Sequence, residues 1–271
     1  MKKTPYVSKI PDHAGQISWS STENETWSIL IDRQEEAIKN RAAPLFVEAL
    51  KLVDFSHQHI PQLPDVNKRL MDLTGWQIQS VSAIIRPDEF FTLLANKKFP
   101  AATFIRIPEE LDYLQEPDIF HELFGHVPLL SHPTYAKFMH EFGKKALCLE
   151  PRDRSRLFRL FWFTVEFGLM SSSEGVRAYG AGILSSIGET QYALTDVSKK
   201  MPFNLLDVLR TPFRVDIMQP LYFVIESFED LFKLIDCDFK EVIDDSRRLG
   251  DHSPLFEPKA IKTEIEGKMT C

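Results

Sequence analysis

Cysteine is scarce. The 271 residues hold three, Cys148, Cys237 and Cys271, too few and too scattered for a disulfide framework. No two share the spacing of a zinc-binding pair, so a metal held by this chain needs other ligands. Sparse thiols suit a reducing compartment. A basic surplus is also missing: 39 acidic residues outnumber 32 basic ones, for a net charge of −7. A general nucleic-acid binder needs a basic face to displace counterions. No apolar run reaches the ~18 residues of a bilayer span. The longest, around 157–170, is broken by Arg159, Thr164 and Glu166. Residues 1–13 are polar and lack the apolar centre of a signal peptide. The expectation is a soluble cytoplasmic protein with neither a nucleic-acid nor a membrane partner.

The composition, 44% hydrophobic and 26% charged, is that of an ordinary globular chain, long enough to bury a substantial core. Twenty-one Phe against 6 Tyr and 4 Trp point to a phenylalanine-rich core. Residues 1–21 read as an irregular arm. Helical periodicity begins at Asn24, with Trp27, Leu30, Ile31, Ala37 and Ile38 on one face. A second helix follows Pro44, and a third ends near Leu73 before Gly75. Residues 76–85 and 102–107 are strand candidates, with a helix over 89–96 between them. The second half reads as mostly helix. One helix opens at the N-cap Asp118, one runs from Ser131 to about Leu147, and one covers 154–170. That last segment is apolar nearly all round and is therefore central. Residues 175–186 read as loop with short strands. The capping-box pair Ser227 and Asp230 precedes a final helix through Asp236. With no repeat, low-complexity tract or linker, the pattern predicts a mainly α fold with small β elements. Its catalytic domain would span 22–250, between an arm (1–21) and a tail (251–271).

The strongest chemical signal is His121-Glu122-Leu123-Phe124-Gly125-His126-Val127-Pro128. Neutral imidazole is the commonest protein ligand for a transition metal. Zinc proteases place two His four apart on one helical face, with a glutamate as general base. Here they are five apart, which puts them about 140° apart on a straight α-helix. They converge only if the helix ends or distorts, which Gly125 and Pro128 permit. Two partly buried structural His remain the alternative. Glu166 adds to the metal reading because it lies in the most apolar stretch, Leu160 to Met170. A buried carboxylate is costly unless paired with a cation, and Arg159, seven residues away, is the other partner on offer. Two His and one carboxylate make the facial triad of ferrous oxygenases. Glu122 is either a solvated helix charge or a group beside a bound water or cofactor. Arg106, at the end of the second strand candidate, either clamps a carboxylate or sits at the surface with Glu109, Glu110 and Asp112. His57, His59, His132, His140 and His252 read as structural or solvated.

The segment Pro117 to Pro128 resembles the metal motif of the pterin-dependent aromatic amino acid hydroxylases. Phe163 to Leu169 resembles the segment that supplies their third iron ligand. Tyr179 to Glu189 is similar to their loop beside the active site, and Gln219-Pro220-Leu221-Tyr222 with Glu226-Ser227-Phe228 to a later segment. The motifs occur in the family's order over roughly residues 20–235. The resemblance implies the family's single catalytic domain and its bacterial branch, which converts L-phenylalanine to L-tyrosine. Fe(2+) would be held by His121, His126 and Glu166, with O2 and a tetrahydropterin as co-substrates. Ile84, Ile85, Pro87 and Phe90 would contact the pterin, Phe90 by stacking and Glu122 through water. Arg106 would hold the substrate carboxylate, with Ser185 assisting and bracing His121, so that Glu122 and Ser185 support catalysis. Pro117, Trp162 and Phe167 would line the ring pocket.

Pro100 and Leu114 depart from the animal pattern near pterin and substrate. The absence of the animal regulatory and oligomerisation segments implies a monomer or dimer, not an animal-type tetramer. A zinc hydrolase using Glu122 as general base, a tryptophan hydroxylase and a non-catalytic metal- or pterin-binding protein are the alternatives. Trp162 counts against tryptophan, because it fills space that tryptophan enzymes leave to a smaller aromatic residue.

Overall fold

Proline and capping side chains decide where many of the helices begin. In the computed structural model, which describes residues 6–82, 85–112 and 116–257, Ser20 and Glu23 exchange side-chain and backbone bonds in a capping box that opens α1 (Ser21–Ile38). Proline occupies the first turn of α2 (Pro44–Val53), α3 (Leu63–Leu73) and α4 (Pro87–Ala95). Its missing N–H costs nothing there, because first-turn amides have no helical partner. α4 is the crossover between two parallel strands, β1 (Gln77–Val81) and β2 (Lys98–Ala102).

A π-turn (His121–His126) leads into α5 (Val127–Leu130), and α6 (Pro133–Leu147) follows. α7 (Pro151–Phe161) widens directly into a second π-turn (Trp162–Glu166). Next come β3 (Leu169–Met170), β4 (Arg177–Ala178), α8 (Ala181–Leu184) and α9 (Ile187–Tyr192). The described chain closes with β5 (Lys199–Pro202), α10 (Leu205–Arg210), β6 (Leu221–Ile225), α11 (Phe228–Lys233) and α12 (Phe239–Leu249). Strands β4-β3-β6-β5 form one sheet, parallel except for the β3–β4 pair. The fold is therefore mainly helical with two small sheets.

Aromatic packing places the two π-turns. Trp27 of α1 meets Phe120 edge-on at 5.5 Å, and Phe120 stacks on Phe124 at 5.1 Å. On the other side Phe91 of α4, Phe142 of α6 and Phe158 of α7 interlock. All of these rings except Phe158 are fully buried, so much of the phenylalanine surplus is core.

Four expectations need correction. Residues 154–170 do not form one helix: α7 stops at Phe161, and the Phe167 N–H reaches back five residues to the Trp162 carbonyl at 2.8 Å. The second strand is Lys98–Ala102, not 102–107. The backbone beyond it bonds to Lys9, Asp118 and Ile119 instead of a sheet. The helix expected from Ser131 begins at Pro133. The helix behind Ser227 and Asp230, whose capping box is present, is followed by α12 and is not the last. Residues 6–19 form no regular element yet are tied down, since Lys9 and Thr103 bond both ways. Asp251 and His252 likewise bond Arg156, Arg159 and the Arg210 carbonyl.

Candidate functional site

Five-residue spacing becomes convergent in a π-turn. At about 4.4 residues per turn each residue advances about 80°, so His121 and His126 come within roughly 50° of one face. Their Nε2 atoms lie 3.1 Å apart. Glu166, at the end of the second π-turn, approaches His126 Nε2 at 3.3 Å and His121 Nε2 at 3.6 Å. Donor atoms about 2.1 Å from one ion sit about 3.0 Å apart on an octahedral edge and about 3.4 Å apart on a tetrahedral one. The triangle matches that scale. His121, His126 and Glu166 are also the group whose ligand atoms lie within 4.8 Å of one another among the described residues.

Ser185 fixes the tautomer of His121. Its Oγ is 2.8 Å from the Ala181 carbonyl and 2.8 Å from His121 Nδ1. The carbonyl can only accept, so it takes the single hydroxyl proton, and Nδ1–H must donate to Oγ. Nε2 is left with its lone pair toward Glu166 and His126. Burial pulls the His121 ring down to about 4, against the attraction of Glu166. Burial pushes the Glu166 carboxyl up, but the two imidazoles and the Gly182 N–H outweigh it and hold it below its ordinary range. Lone pairs that converge on one point need a cation, and this donor set fits a first-row divalent metal.

The loop that carries Ser185 approaches very closely. A Cβ on Gly125 would sit 3.0 Å from the Ala181 Cβ and 3.1 Å from its carbonyl oxygen, and one on Gly180 only 2.3 Å from the Glu166 carbonyl. Gly180 leaves no room for a side chain, and at Gly125 one fits only if the Ala181 segment gives way.

Arg106 differs from its sequence-level description. It ends no strand and is not at the surface. Its Nε and Nη2 donate to Asp118 Oδ2 and Oδ1 at 2.8 and 3.0 Å, with both side chains buried. Asp118 also accepts the Arg106 and His121 backbone N–H groups at 3.0 and 3.1 Å. Burial opposes charge on both partners, yet their attraction overrides it and holds Asp118 below and Arg106 above their ordinary values. Of the expected acidic neighbours, Glu110 bonds Tyr6 and acts on Arg106 only as a weaker nearby charge, and Asp112 bonds Arg33. A further carboxylate must therefore meet the other edge of the guanidinium, at Nη1 and the outer N–H of Nη2.

Glu122 is buried, so it is not the solvated helix charge that was one reading of it. Burial and the Glu166 and Asp118 carboxylates push it well above the ordinary range, while the Ala102 N–H works the other way. Phe99 of β2 lies against the His126 ring at 4.3 Å, so β2 borders the first π-turn at two points. Phe90 is half-buried on α4 and meets Phe161 edge-on at 5.1 Å, immediately before the second π-turn. Ile85 is half-buried and Pro87 exposed at the start of the same helix, and Pro117 is exposed beside Asp118. Ile84 and Leu114 lie outside the described residues. Trp162 stacks on Phe213 at 4.6 Å and meets a tilted Phe167 ring at 4.5 Å. Sequence reasoning missed Asp118 as a counter-ion, having read it only as a cap, and gave no role to Phe213 or Gln219.

The sequence profile for biopterin-dependent aromatic amino acid hydroxylases matches residues 2–246. Phenylalanine-4-hydroxylase of Pseudomonas aeruginosa is 48% identical over 259 residues, covering 96% of this chain and 99% of that one. The structure of phenylalanine hydroxylase from Legionella pneumophila superposes with a TM-score of 0.90 at 47% identity, over 93% of this chain and 100% of that one. The Chromobacterium violaceum phenylalanine hydroxylase with bound oxidised Fe(III) gives 0.84 at 37% identity, over 90% and 91%. Agreement in sequence, fold and length leads to one conclusion: the chain belongs to the biopterin-dependent aromatic amino acid hydroxylase family.

Proposed function

We propose that this hydroxylase converts L-phenylalanine to L-tyrosine with O2, using iron(II) and a tetrahydropterin. The observation that carries the reading is the convergence of His121, His126 and Glu166 on one point, joined to the family assignment. The residues would hold iron by the two Nε2 atoms and the carboxylate. Iron and pterin would together supply the reducing and O2-activating chemistry that no protein side chain offers.

The chain's own work is orientation and enclosure. Ser185 keeps the His121 lone pair at Nε2. Asp118 holds Arg106 by one edge, which supports the other edge as the anchor for the substrate carboxylate. Trp162, Phe167 and Pro117 would enclose the substrate ring and exclude water, as an apolar ligand requires. Phe90 would stack on the pterin, with Ile84, Ile85 and Pro87 beside it and Glu122 meeting it through water. Residues 22–250 would form the catalytic domain, acting as a monomer or dimer.

Among the described residues no helix is long and apolar enough to cross a membrane, and Cys148 and Cys237 are free thiols. Both observations support a cytoplasmic setting. The family match disfavours the zinc-hydrolase alternative, and so does the five-residue His spacing, which lies in a π-turn and not on the single α-helical face of a zinc protease.

The test is anaerobic loading with iron(II), then L-phenylalanine, a tetrahydropterin and air, with product analysis. Tyrosine formed in step with pterin oxidation is the expected result. Preference for L-tryptophan, or no hydroxylated product, would overturn the reading.

A further inference from the structure

The Gln219-Pro220-Leu221-Tyr222 motif has no part in the reading so far, yet Gln219 is 1% exposed and fully committed. Its Nε2 donates to the carbonyls of Arg214 and Ile217 at 2.9 and 3.0 Å. Two carbonyls can only accept, so the amide orientation is fixed, and Oε1 must be the atom 3.0 Å from Trp162 Nε1. Its backbone N–H donates to Glu189 Oε1 at 3.1 Å, and the Tyr222 hydroxyl donates to the same oxygen. A buried carboxylate on α9 and a tyrosine on β6 thus anchor the base of the amide. Gln219 also gathers the 211–219 segment, whose Phe213 lies nearly parallel to Trp162, 17° apart in plane.

Trp162 is therefore held by three restraints: the stacked Phe213 ring, the tilted Phe167 ring and a hydrogen bond at its edge. An indole with its N–H paired cannot turn about its ring torsions without leaving a buried donor and acceptor unmatched.

We propose that Gln219 is a positioning residue that sets the orientation of Trp162 and so fixes the wall against which the substrate ring rests. The inference rests on the phenylalanine-hydroxylase reading and acts through Trp162, not on the reacting atoms. It predicts a change in substrate fit with little change in the metal.

Two measurements test it. In the first, Gln219→Met, Trp162→Phe and the double variant are compared with the parent for iron content, for KM and kcat with L-phenylalanine, and for tyrosine formed per pterin oxidised. Gln219→Met should raise KM roughly three- to tenfold and lower that yield, with kcat changed less and iron unchanged. On the Trp162→Phe background the same substitution should shift KM less than about twofold, since the indole N–H is already gone. An equal shift on both backgrounds would overturn the proposal and leave Gln219 as a brace for its own segment.

The second measurement is read on the parent itself and needs no substrate. The indole N–H of Trp162 is assigned by its absence from Trp162→Phe and followed by hydrogen exchange in the zinc(II)-loaded parent. Exchange on the order of 100-fold slower than an exposed indole supports the bond. Exchange at the exposed rate overturns it. A parent that makes no tyrosine would overturn the functional reading instead, so the two failures are distinguishable.

Discussion

Arg106→Ala tests folding and recognition at once, because the structure gives Arg106 two tasks. Its fork to Asp118 is buried, at 2.8 and 3.0 Å. Removing one member of such a pair strands the other charge, at a cost of about 3–5 kcal/mol. Asp118 keeps two backbone N–H donors, which places the expected loss toward the lower end. For a chain of this size the melting temperature should fall by roughly 6–20 °C. If the other edge of the guanidinium holds the substrate carboxylate, a further 2–5 kcal/mol disappears from transition-state binding, ~30- to several-thousand-fold in kcat/KM. Thermal unfolding measures the first effect. Kinetics well below the transition, with L-phenylalanine and with phenethylamine, which lacks the carboxylate, measure the second. Arg106→Lys keeps the charge beside Asp118 but not the fork, so it should recover part of the stability and little of the discrimination. If Arg106→Ala prefers phenylalanine over phenethylamine as strongly as the parent does, the carboxylate is anchored elsewhere. A melting shift of only about a degree would contradict the pairing argument.

Ser185→Ala removes the acceptor that holds His121 in its Nδ1–H tautomer, and iron affinity in a metal titration should fall about 10–100-fold with the fold intact. Gly125→Ala places a methyl 3.0 Å from Ala181; the 180–185 segment must shift, costing about 1–3 kcal/mol in urea unfolding and weakening iron binding. Phe90→Ala should raise the KM for the pterin more than that for phenylalanine, by ~1–3 kcal/mol if ring stacking on aromatic side chains is the guide.

The sequence reported the site's membership more clearly than its geometry. His121, His126 and Glu166 were legible because residue chemistry and the surrounding apolar run survive without coordinates. Their convergence was not. A straight α-helix separates the two His by about 140°, and the π-turn that reunites them depends on the 180–185 segment pressing on Gly125, a contact 56 residues distant from Gly125 to Ala181. The same limit explains 154–170, where uniform apolarity matched a central helix but Gly168 leaves the helix to make room for Tyr179. Arg106 is conspicuous in the sequence, but the acids closest to it there, Glu109, Glu110 and Asp112, are not the one that forks with it. Asp118 caps the His121 N–H as well as pairing with Arg106, and one carboxylate with both roles leaves no separate trace in the sequence. Gln219 gave no chemical signal at all, because a buried amide is defined by its partners and not by its own type.

Metal analysis coupled to turnover, on the parent and on His126→Ala, tests the central claim most directly. The account predicts about one iron per chain and tyrosine from the parent, since three converging ligand atoms define a single site. It predicts neither from His126→Ala, because the remaining two ligands do not retain the ion. Iron and tyrosine formation undiminished in His126→Ala would contradict it.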